Sequence, residues 1–505
     1  MTYDIAVVGS GFAGSLLAMI ARRLGRSVLL IERGTHPRFA IGESSTPLAN
    51  VLLEELSIRY DLPRLTPLAK WGTWQRTYPQ IGCGLKRGFT FYHHQFGRRA
   101  ASDPDRQDQL LVAASPHDAI GDTHWYRADV DAFFVREAQA TGVLYLDEVK
   151  LESASERANE VTLQGRRHGK PFAASARFVV DGTGPRGFLQ RALSLPAVPL
   201  PDLPPGQALY THFTNVQRLD APGGEPPYPV DDAAVHHVFD GGWIWVLRFN
   251  NGITSAGVAA TDHAAARFGL GEGAPGWQRL LECLPTVREQ FAEAVADRPF
   301  IHAPQFSFRS GAIAGRRWAL LPSAAGFVDP LLSTGFPLVL LGVSRLAEIF
   351  EKNQNQWSEA LATYARQTEA ELLATARLIG SLYATMANFP LFVSLTLLYF
   401  AAASFSETAR RLGKPHLAST FLLHDHPDFQ IHPLLDRARA VRSTEAAQRL
   451  SDDILRVIEP FNVAGLGDPS RRNWYPANAE DMLLAAYKLG AERDDVAHLL
   501  ARCGF

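Results

Sequence analysis

Three glycines near the start of the chain have the spacing of a phosphate-binding turn. Gly9, Gly11 and Gly14 form a GxGxxG pattern between two apolar runs, and Glu32 stands at the end of the second run. The glycines let backbone N–H groups approach a pyrophosphate, while a carboxylate at Glu32 can accept a hydrogen bond from a ribose hydroxyl. The pattern predicts a dinucleotide-binding site formed by Gly9, Gly11, Phe12, Ala13, Gly14, Glu32 and Arg33.

Two later glycine-rich turns also follow apolar runs. They are FVVDGTGPRG at residues 178–187 and GFVDPLLSTG at residues 326–335. The second turn ends in Ser333, Thr334 and Gly335, directly before a predicted helix, where free backbone N–H groups can bind an anion without a charged side chain. A simpler interpretation is that Ser333 or Thr334 caps this helix, and the two roles are compatible.

Three further segments match the motifs of one protein family. HPRFAIGESSTP lies at residues 36–47, GLKRGFTF at 84–91 and GGWIWVLRFNN at 241–251. They resemble, in turn, the flavin-lining segment, the KxGxxF segment and the WxWxIP signature of the flavin-dependent halogenases, within the superfamily of FAD-dependent aromatic monooxygenases. The closest resemblance is to phenylpyrrole halogenases of the pyrrolnitrin type.

The resemblance implies FAD as the cofactor and halogenation as the reaction. Reduced FAD from a separate flavin reductase, O2 and chloride or bromide would give hypohalous acid, which halogenates an electron-rich aromatic or heteroaromatic substrate. Lys86 falls on the family's catalytic lysine, whose ammonium would hydrogen-bond the hypohalous acid or form a haloamine. This chemistry requires a buried cation in a dry site. The alternative is that Lys86 is a solvated lysine beside Arg87.

Other site residues are also assigned by the resemblance. Ser333, Thr334 and Gly335 resemble the halide-binding turn. Trp243 and Trp245 alternate on a predicted strand and so share one face, where they would screen the flavin from the substrate; the alternative is a pair of core tryptophans. The remaining residues expected to bind FAD are Ile41, Gly42, Glu43, Ser44, Arg127, Asp181, Gly182 and Asp329. For Arg127, the alternative is a salt bridge at the start of a helix.

The sequence departs from the family pattern at three places. Arg248 replaces the signature proline, Pro322-Ser323 replaces a Gly-Asp pair, and Leu332 stands where tryptophan halogenases have a catalytic glutamate. The last difference argues against free tryptophan as the substrate. Two alternative functions stay open: a halogenase-like flavin monooxygenase that hydroxylates an aromatic group, such as a tryptophan within a protein, and a non-catalytic flavin-binding protein.

Periodic patterns predict the elements that position these residues. Residues 3–8, 14–24 and 27–32 are predicted as strand, helix and strand, which is a βαβ unit. Residues 46–61 and 128–142 are predicted as helices. The GxGxxG turn therefore lies between a strand and a helix, as a nucleotide-binding turn must.

Composition changes after a proline-rich stretch at residues 196–205. Short β-rich runs at 208–262, separated by Gly, Asp and Asn, predict an antiparallel sheet. From about residue 355 the chain is mainly helical, with periodic segments at 357–388 and 433–459. The uncharged segment at 390–405 is shorter than the ~20 residues of a membrane-spanning helix, and is predicted as a buried or partly interfacial helix.

These patterns predict a mixed α/β (α+β) fold class. Its parts are a Rossmann-type FAD-binding domain that is discontinuous, at residues 1–205 and 300–364, a substrate domain with an antiparallel sheet at 206–299, and a helical C-terminal region at 365–505.

Composition limits the classes of partner. In 505 residues the formal net charge is -2, which gives no electrostatic reason to expect nucleic acid. Cys83, Cys283 and Cys503 are widely separated, and the histidine pairs lack carboxylate or cysteine companions, so we expect no disulfide framework and no metal. The chain is expected to act in the cytoplasm, without a membrane span, as a monomer or homodimer.

Overall fold

The computed structural model describes residues 2–99, 103, 105–219 and 225–505. The predicted domain segments 1–205 and 206–299 also contain residues 1, 100–102, 104 and 220–224, which lie outside the described part. In the described residues the strands are, in chain order, Thr2–Val8 (β1), Val28–Ile31 (β2), Cys83–Lys86 (β3), Gly88–His93 (β4), Gln109–Ala113 (β5), Asp122–Trp125 (β6), Leu144–Leu146 (β7), Val149–Glu156 (β8), Val161–Arg167 (β9), Lys170–Asp181 (β10), Ala197–Val198 (β11), Gly206–Thr214 (β12), Ala234–Phe239 (β13), Gly242–Arg248 (β14), Thr254–Thr261 (β15), Val295–Ala296 (β16), Ile301–Ala303 (β17), Phe308–Ser310 (β18), Trp318–Leu320 (β19), Gly326–Phe327 (β20) and Trp474–Tyr475 (β21).

The α-helices of the same residues alternate with the strands at first and then follow one another. They are Phe12–Arg23 (α1), Pro47–Arg59 (α2), Trp71–Thr77 (α3), Arg127–Ala140 (α4), Phe188–Ala192 (α5), Asp262–Phe268 (α6), Ala274–Cys283 (α7), Pro285–Gln290 (α8), Pro322–Ala325 (α9), Gly335–Glu351 (α10), Trp357–Thr385 (α11), Phe389–Arg411 (α12), His432–Ala440 (α13), Thr444–Ile458 (α14), Ala479–Leu484 (α15) and Arg493–Cys503 (α16).

A seven-stranded sheet positions the glycine-rich turn. Strands β7, β2, β1 and β10 lie side by side and parallel, and β19 extends this row beyond β10. The first half of β10 pairs antiparallel with β9, which pairs with β8. Since α1 connects β1 to β2, the predicted βαβ unit is confirmed, and the mixed α/β fold class with it.

A nine-stranded sheet forms the second layer. Strands β12, β15, β14 and β13 are antiparallel neighbours, as predicted for this region. The sheet continues through β4, which runs parallel to β13, and then β5 and β21, so it is mixed and draws strands from three distant parts of the chain. The sheet thus includes β4 and β5, which lie in the segment 1–205 that the sequence analysis assigned to the FAD-binding domain. The domain boundaries stay a prediction.

Helices cover the sheets and form the C-terminal region. Helix α12 packs against α2, α11 and α14, and α10 packs against α1, α2 and α11. Two ion pairs join α12 to α2: Arg410 with Glu55, at 2.9 Å, and Arg411 with Glu54, at 3.0 Å. The predicted helical segment at 433–459 is two helices, because Val441 adopts an extended conformation and Ser443 caps α14.

Two segments in the described residues are long and apolar enough to cross a membrane. They are Leu331–Glu351 and Phe389–Arg411, and 72% and 78% of their most apolar windows are buried inside the protein. Core helices of globular proteins have the same composition. The prediction that residues 390–405 form a buried helix is confirmed.

Candidate active site

The turn after β1 has no room for side chains. A Cβ atom on Gly9 would lie 2.7 Å from the backbone of Gly182, and one on Gly14 would lie 2.0 Å from the carbonyl oxygen of Gly9. Gly9 also has φ +98°, in the left-handed region that favours glycine. The end of β1, the start of α1 and the end of β10 therefore meet backbone to backbone, which fits a bound dinucleotide.

Glu32 is a buried carboxylate at the end of β2. Its Oε2 accepts hydrogen bonds from the N–H and hydroxyl of Ser10, at 3.1 and 3.0 Å, and pairs with Arg38 at 3.4 Å. Burial acts to raise the pKa of Glu32, but Arg38 and the hydrogen bonds from Gly34 and Ser10 outweigh it and lower the pKa. The carboxylate is therefore ionised beside the turn, as an acceptor for ribose hydroxyls should be.

The residues that flank the turn have different environments. The ring of Phe12 stacks on Phe336, with centroids 4.9 Å apart, so the N-termini of α1 and α10 meet. Ala13 is buried in the core. The side chain of Arg33 is exposed, and its backbone N–H donates to Glu32 at 2.9 Å. For Arg33, the backbone therefore contacts the site through Glu32, whereas the side chain does not.

Arg127 ties the segment at residues 36–47 to the glycine-rich turn. Its guanidinium donates to the carbonyl oxygens of Ile41 and Gly42, at 3.1 and 2.9 Å, and makes two 2.9 Å hydrogen bonds to Asp131. Asp131 also accepts the backbone N–H of Phe12, at 3.1 Å. Arg127 therefore positions the backbone of the flavin-lining segment through a fixed, two-pronged ion pair.

Glu43 joins the same segment to the nine-stranded sheet. Its Oε1 pairs with Nε2 of His212 on β12, at 2.8 Å, and both side chains are almost completely buried. A cavity of about 250 Å³ lies on this side of the segment. It is lined by Pro37, Arg38, Phe39, Ala40, Tyr126, Ala128, His212 and Arg298. The segment is thus held between the two sheets with open space beside it.

Lys86 is completely buried at the end of β3. Its Nζ donates to the hydroxyl of Ser44, at 2.9 Å, and to the carbonyl oxygen of Ser45, at 2.6 Å. Nζ also lies 3.8 Å from the centre of the Phe89 ring, a cation–π contact. The solvated alternative is therefore wrong. Lys86 stands between the flavin-lining segment and the aromatic wall of the nine-stranded sheet.

Among the described residues, Asp122 is the carboxyl group whose charge acts on Lys86, and two buried histidines are held neutral beside it. Burial lowers the pKa of Lys86, and the negative charge of Asp122 opposes this change. Burial raises the pKa of Asp122, and Lys86 opposes that change. The pKa values of His124 and His236 fall to about 3, through burial first and then the charge of Lys86. Burial thus pushes Lys86 towards the neutral, nucleophilic amine.

Trp243 and Trp245 share one face of β14, as predicted. Their ring centroids are 5.8 Å apart. Trp243 stacks on His236, at 5.1 Å, and His236 stacks on Phe91, at 4.3 Å. The indole of Trp243 also lies beside the carboxyl of Asp329. Both tryptophans are buried, so they form part of a continuous aromatic wall, and their role as a screen stays a prediction.

The turn before α10 has an unusual backbone. Leu332 and Ser333 are successive non-glycine residues with positive φ, 64° and 55°, a conformation that side chains other than glycine disfavour. Neither Ser333 nor Thr334 accepts an N-capping hydrogen bond in this turn, so the capping interpretation is not supported. A Cβ atom on Gly335 would meet no heavy atom within 4 Å outside its own helix and chain neighbours, so there is open space beside the first residue of α10.

Asp181 and Asp329, which lie at the two later turns, accept hydrogen bonds from other groups of the protein. Asp181 accepts hydrogen bonds from Thr183 and from the N–H of Leu189, and so orders the turn after β10. Burial raises the pKa of Asp329 to about 7, while hydrogen bonds from the N–H of Leu331 and the hydroxyl of Tyr383, both at 2.8 Å, act to lower it.

A second cavity, of about 140 Å³, lies between the Lys86 region and the helical C-terminal region. Its apolar lining includes Phe89, Val112, Ile120, Tyr399, Phe400, Val463, Leu466, Tyr475, Leu500 and Phe505. Phe89 contacts Lys86 on one side and borders this cavity. The cavity is therefore adjacent to Lys86 and has the aromatic walls of a small-molecule site.

Arg248, which replaces the signature proline, has a structural role. Its Nε donates to buried Asp231 at 3.0 Å, and its Nη1 and Nη2 donate to the carbonyl oxygens of Val216 and Gln217. The guanidinium thus fixes the chain after β12 to β14. Leu332, at the position of the missing glutamate, is completely buried.

Sequence patterns did not single out Asp122, Asp131 or His212. Asp131 lies one helical turn after Arg127, a spacing that can indicate an ion pair. Asp122 and His212 contact residues far away in sequence, and no local signal identifies them. Across the described ranges, no cluster of three metal-binding side chains occurs and the three cysteines are free; the expectation of no metal stays a prediction.

The chain matches two family models. The model described as "Tryptophan halogenase" matches residues 122–389, just over half of the chain, and the model "NAD(P)-binding Rossmann-like domain" matches residues 7–53. Among curated relatives, the tetracycline 7-halogenase of Kitasatospora aureofaciens is 25% identical, over 99% of this chain and 95% of that protein. The monodechloroaminopyrrolnitrin halogenase PrnC of Pseudomonas fluorescens is 29% identical, over 68% of this chain and 61% of that protein.

A solved structure agrees over almost the whole chain. Halogenase PltM, in a crystal structure with phloroglucinol and FAD, superposes with a TM-score of 0.84 and 25% sequence identity. The match covers 94% of this chain and 99% of that one. The similarity therefore extends through both sheets and the helical C-terminal region.

Proposed function

This chain belongs to the tryptophan halogenase family and is an FAD-dependent halogenase, and from this premise we propose that it halogenates an electron-rich aromatic or heteroaromatic substrate through Lys86. The observation that carries the proposal is the position of Lys86. Its ammonium is completely buried, is held by Ser44 and Ser45 of the flavin-lining segment, and contacts Phe89, which borders the 140 Å³ cavity.

The residues that would hold FAD are those of the glycine-rich turn and of the segment that Arg127 fixes. The tight turn formed by Gly9, Gly11 and Gly14 would let a pyrophosphate approach its backbone N–H groups, and Glu32 is ionised beside it. Reduced FAD supplies, with O2, the oxidation of halide to hypohalous acid. The N–H groups at Thr334 and Gly335 offer an anion site at the start of α10, with open space beside Gly335.

Lys86 would act on the hypohalous acid. An N–H of Nζ can donate to its oxygen and so make the halogen more electrophilic, while the neutral amine, favoured by burial, can instead accept the halogen and form a haloamine. Hydrogen bonds to Ser44 and Ser45 fix Nζ at one point. The aromatic wall around Lys86 excludes water, so the oxidant would be consumed by the substrate and not by solvent.

The proposal includes a partner and a setting. A separate flavin reductase would deliver reduced FAD, and the enzyme would act in the cytoplasm, as a monomer or homodimer. The 1H-pyrrole-2-carbonyl-[peptidyl-carrier protein] chlorinase of Pseudomonas fluorescens, 25% identical over 70% of this chain, acts by its name on a carrier-bound pyrrole. A carrier-bound substrate is therefore one form in which the ring could be presented.

A turnover assay tests the proposal. Purified protein, FAD, a flavin reductase with NADH, and bromide or chloride are incubated with a panel of phenols, pyrroles and indoles, and products are read by mass spectrometry. We expect the isotope pattern of the added halogen on at least one ring, and none when halide is omitted. Oxygen incorporation that is independent of halide would contradict the proposal and favour the hydroxylase alternative.

A further inference from the structure

The polar groups of the 140 Å³ cavity are not equivalent. Glu407 and Arg411 line it, but they pair with each other at 2.8 Å, and Arg411 pairs again with Glu54 at 3.0 Å. Asn50 donates to Oδ1 of Asp122 at 2.7 Å. These contacts compensate the charges of α12 within the protein, so Glu407 and Arg411 are not free to recognise a ligand.

Asp122 has one oxygen that the protein leaves without a partner. The residue is 6% exposed, and its Oδ2 is buried with no hydrogen bond among the described residues. A buried acceptor without a donor costs about 1–3 kcal/mol, so such atoms are usually satisfied by a ligand or an ordered water. Asp122 borders the cavity, and the donor it lacks can therefore arrive there.

The carboxyl group of Asp122 also lies close to Lys86. Asp122 on β6 and Lys86 on β3 are partners in register, and each shifts the pKa of the other. Phe89 lies against Nζ of Lys86 and also borders the cavity. A ring that packs on Phe89 and donates to Asp122 would therefore lie close to Lys86, which is not itself one of the residues that line the cavity.

The size of the cavity limits the ring. An engineered cavity of about 150 Å³ in another protein binds benzene. At about 140 Å³, the cavity beside Asp122 is large enough for one ring. Its aromatic and aliphatic walls suit a flat, apolar body, and Asp122 is a buried polar group in these walls that can fix the orientation of that body.

We propose that Asp122 is a catalytic residue that binds the O–H or N–H of a single-ring substrate, a phenol or a pyrrole, and takes up its proton as the ring is halogenated. This inference rests on the proposed function. Leu332 stands where tryptophan halogenases have a catalytic glutamate, so that position supplies no carboxylate. In this proposal, Asp122 on β6 supplies a carboxylate from a different part of the fold.

The step balances as electrophilic substitution. A ring carbon forms a bond to the halogen of hypohalous acid, the halogen–oxygen bond breaks, and its electron pair stays on the oxygen, which leaves as hydroxide and takes a proton from the ammonium of Lys86 to become water. Asp122 accepts the ring O–H or N–H proton as positive charge develops on the ring. The amine of Lys86 then takes up the ring C–H proton, which restores the aromatic ring and the ammonium, and the proton on Asp122 returns to the ring heteroatom. The net change is ring-H plus HOX to ring-X plus H2O.

Binding tests this inference without turnover. The affinity of the FAD-loaded protein for phenol and for its methyl ether, anisole, is measured by calorimetry in the wild type, Asp122→Asn and the exposed control Asp108→Asn. We expect the wild type and the control to bind phenol at least tenfold more tightly than anisole, and Asp122→Asn to lose this preference. Equal affinity for the two ligands in the wild type would overturn the inference.

Turnover separates this inference from the proposed function. Hypohalous acid is followed with a small-molecule trap, and ring halogenation by mass spectrometry. We expect Asp122→Asn to keep FAD binding and hypohalous acid formation, but to lose about 100-fold in kcat/KM for phenol and to lose the rising limb of its pH profile. Unchanged kcat/KM in this variant would overturn the role of Asp122. A wild type that forms no hypohalous acid would contradict the proposed function, while the binding preference would still decide the role of Asp122.

Discussion

Lys86 and Asp122 face each other in register across β3 and β6, and both side chains are buried. Burial lowers the pKa of Lys86 and raises that of Asp122, and each charge holds back the shift of the other. The pair thus places two groups with opposite pKa shifts at one point between the flavin-lining segment and an aromatic cavity. That position explains how a reactive amine and a substrate-binding carboxyl can act on one ring.

The glycine-rich turn should not tolerate a methyl group at Gly14. A Cβ atom there would lie 2.0 Å from the carbonyl oxygen of Gly9, so Gly14→Ala should abolish FAD binding or folding. Gly271→Ala is the control, because its Cβ atom would be 3.5 Å from the nearest atom, His302. Flavin absorbance after gel filtration measures the retained cofactor. FAD retained in full by Gly14→Ala would contradict the assigned turn.

Arg127 should control FAD affinity through the backbone of residues 41 and 42. Arg127→Lys keeps the charge but loses the two-pronged pair with Asp131 and at least one carbonyl contact. We expect the Kd for FAD, measured by fluorescence quenching, to rise about tenfold or more. Arg136→Lys, on the exposed face of the same helix, should bind FAD like the wild type. No difference between the two variants would mean that Arg127 does not position the segment.

Asp329 should make the protein less stable as the pH rises. Its pKa is about 7 in the folded chain because the carboxyl is buried, against about 4 when unfolded. Its contribution to stability is therefore complete below pH 4 and is lost as the pH rises through 7. Between pH 5 and 7, the unfolding free energy of the wild type should fall relative to Asp329→Asn by about 1.4 kcal/mol per pH unit. Urea unfolding of the two proteins at several pH values checks this, and parallel pH profiles would refute it.

Arg248 should matter for stability more than for chemistry. Arg248→Ala leaves Asp231 buried without its partner, so we expect a loss of about 3 kcal/mol in unfolding free energy. Arg218→Ala removes an exposed pair with Asp232 and should cost less than about 1 kcal/mol. Chemical denaturation of both variants measures the difference. Equal losses would contradict the structural role of Arg248.

Local sequence patterns were sufficient for the fold class and for the nucleotide-binding unit. The strand before Gly9, the helix after it and the strand before Glu32 are encoded by apolar periodicity and glycine within a short segment. The family motifs placed Lys86, whose burial the sequence could not establish. The halide and cofactor roles of the other predicted residues stay predictions.

Contacts between distant segments were not predictable. Strand β4 pairs in parallel with β13, and Glu43 pairs with His212, although nothing in either segment specifies the partner. Asp122 has no distinguishing local pattern, because its importance arises only when β6 pairs with β3 and the C-terminal helices close the cavity. The break at Val441 did have a local signal, the N-cap Ser443, which periodicity alone overlooks.

The central claim is tested most directly by comparing ring halogenation in the wild type and in Lys86→Met, at equal FAD occupancy, with reductase, NADH, O2 and bromide. The account predicts a brominated ring with the wild type and a loss of at least about 1000-fold in the variant. Lys150→Ala, an exposed lysine, should behave like the wild type. Bromination by Lys86→Met at the wild-type rate would contradict the account.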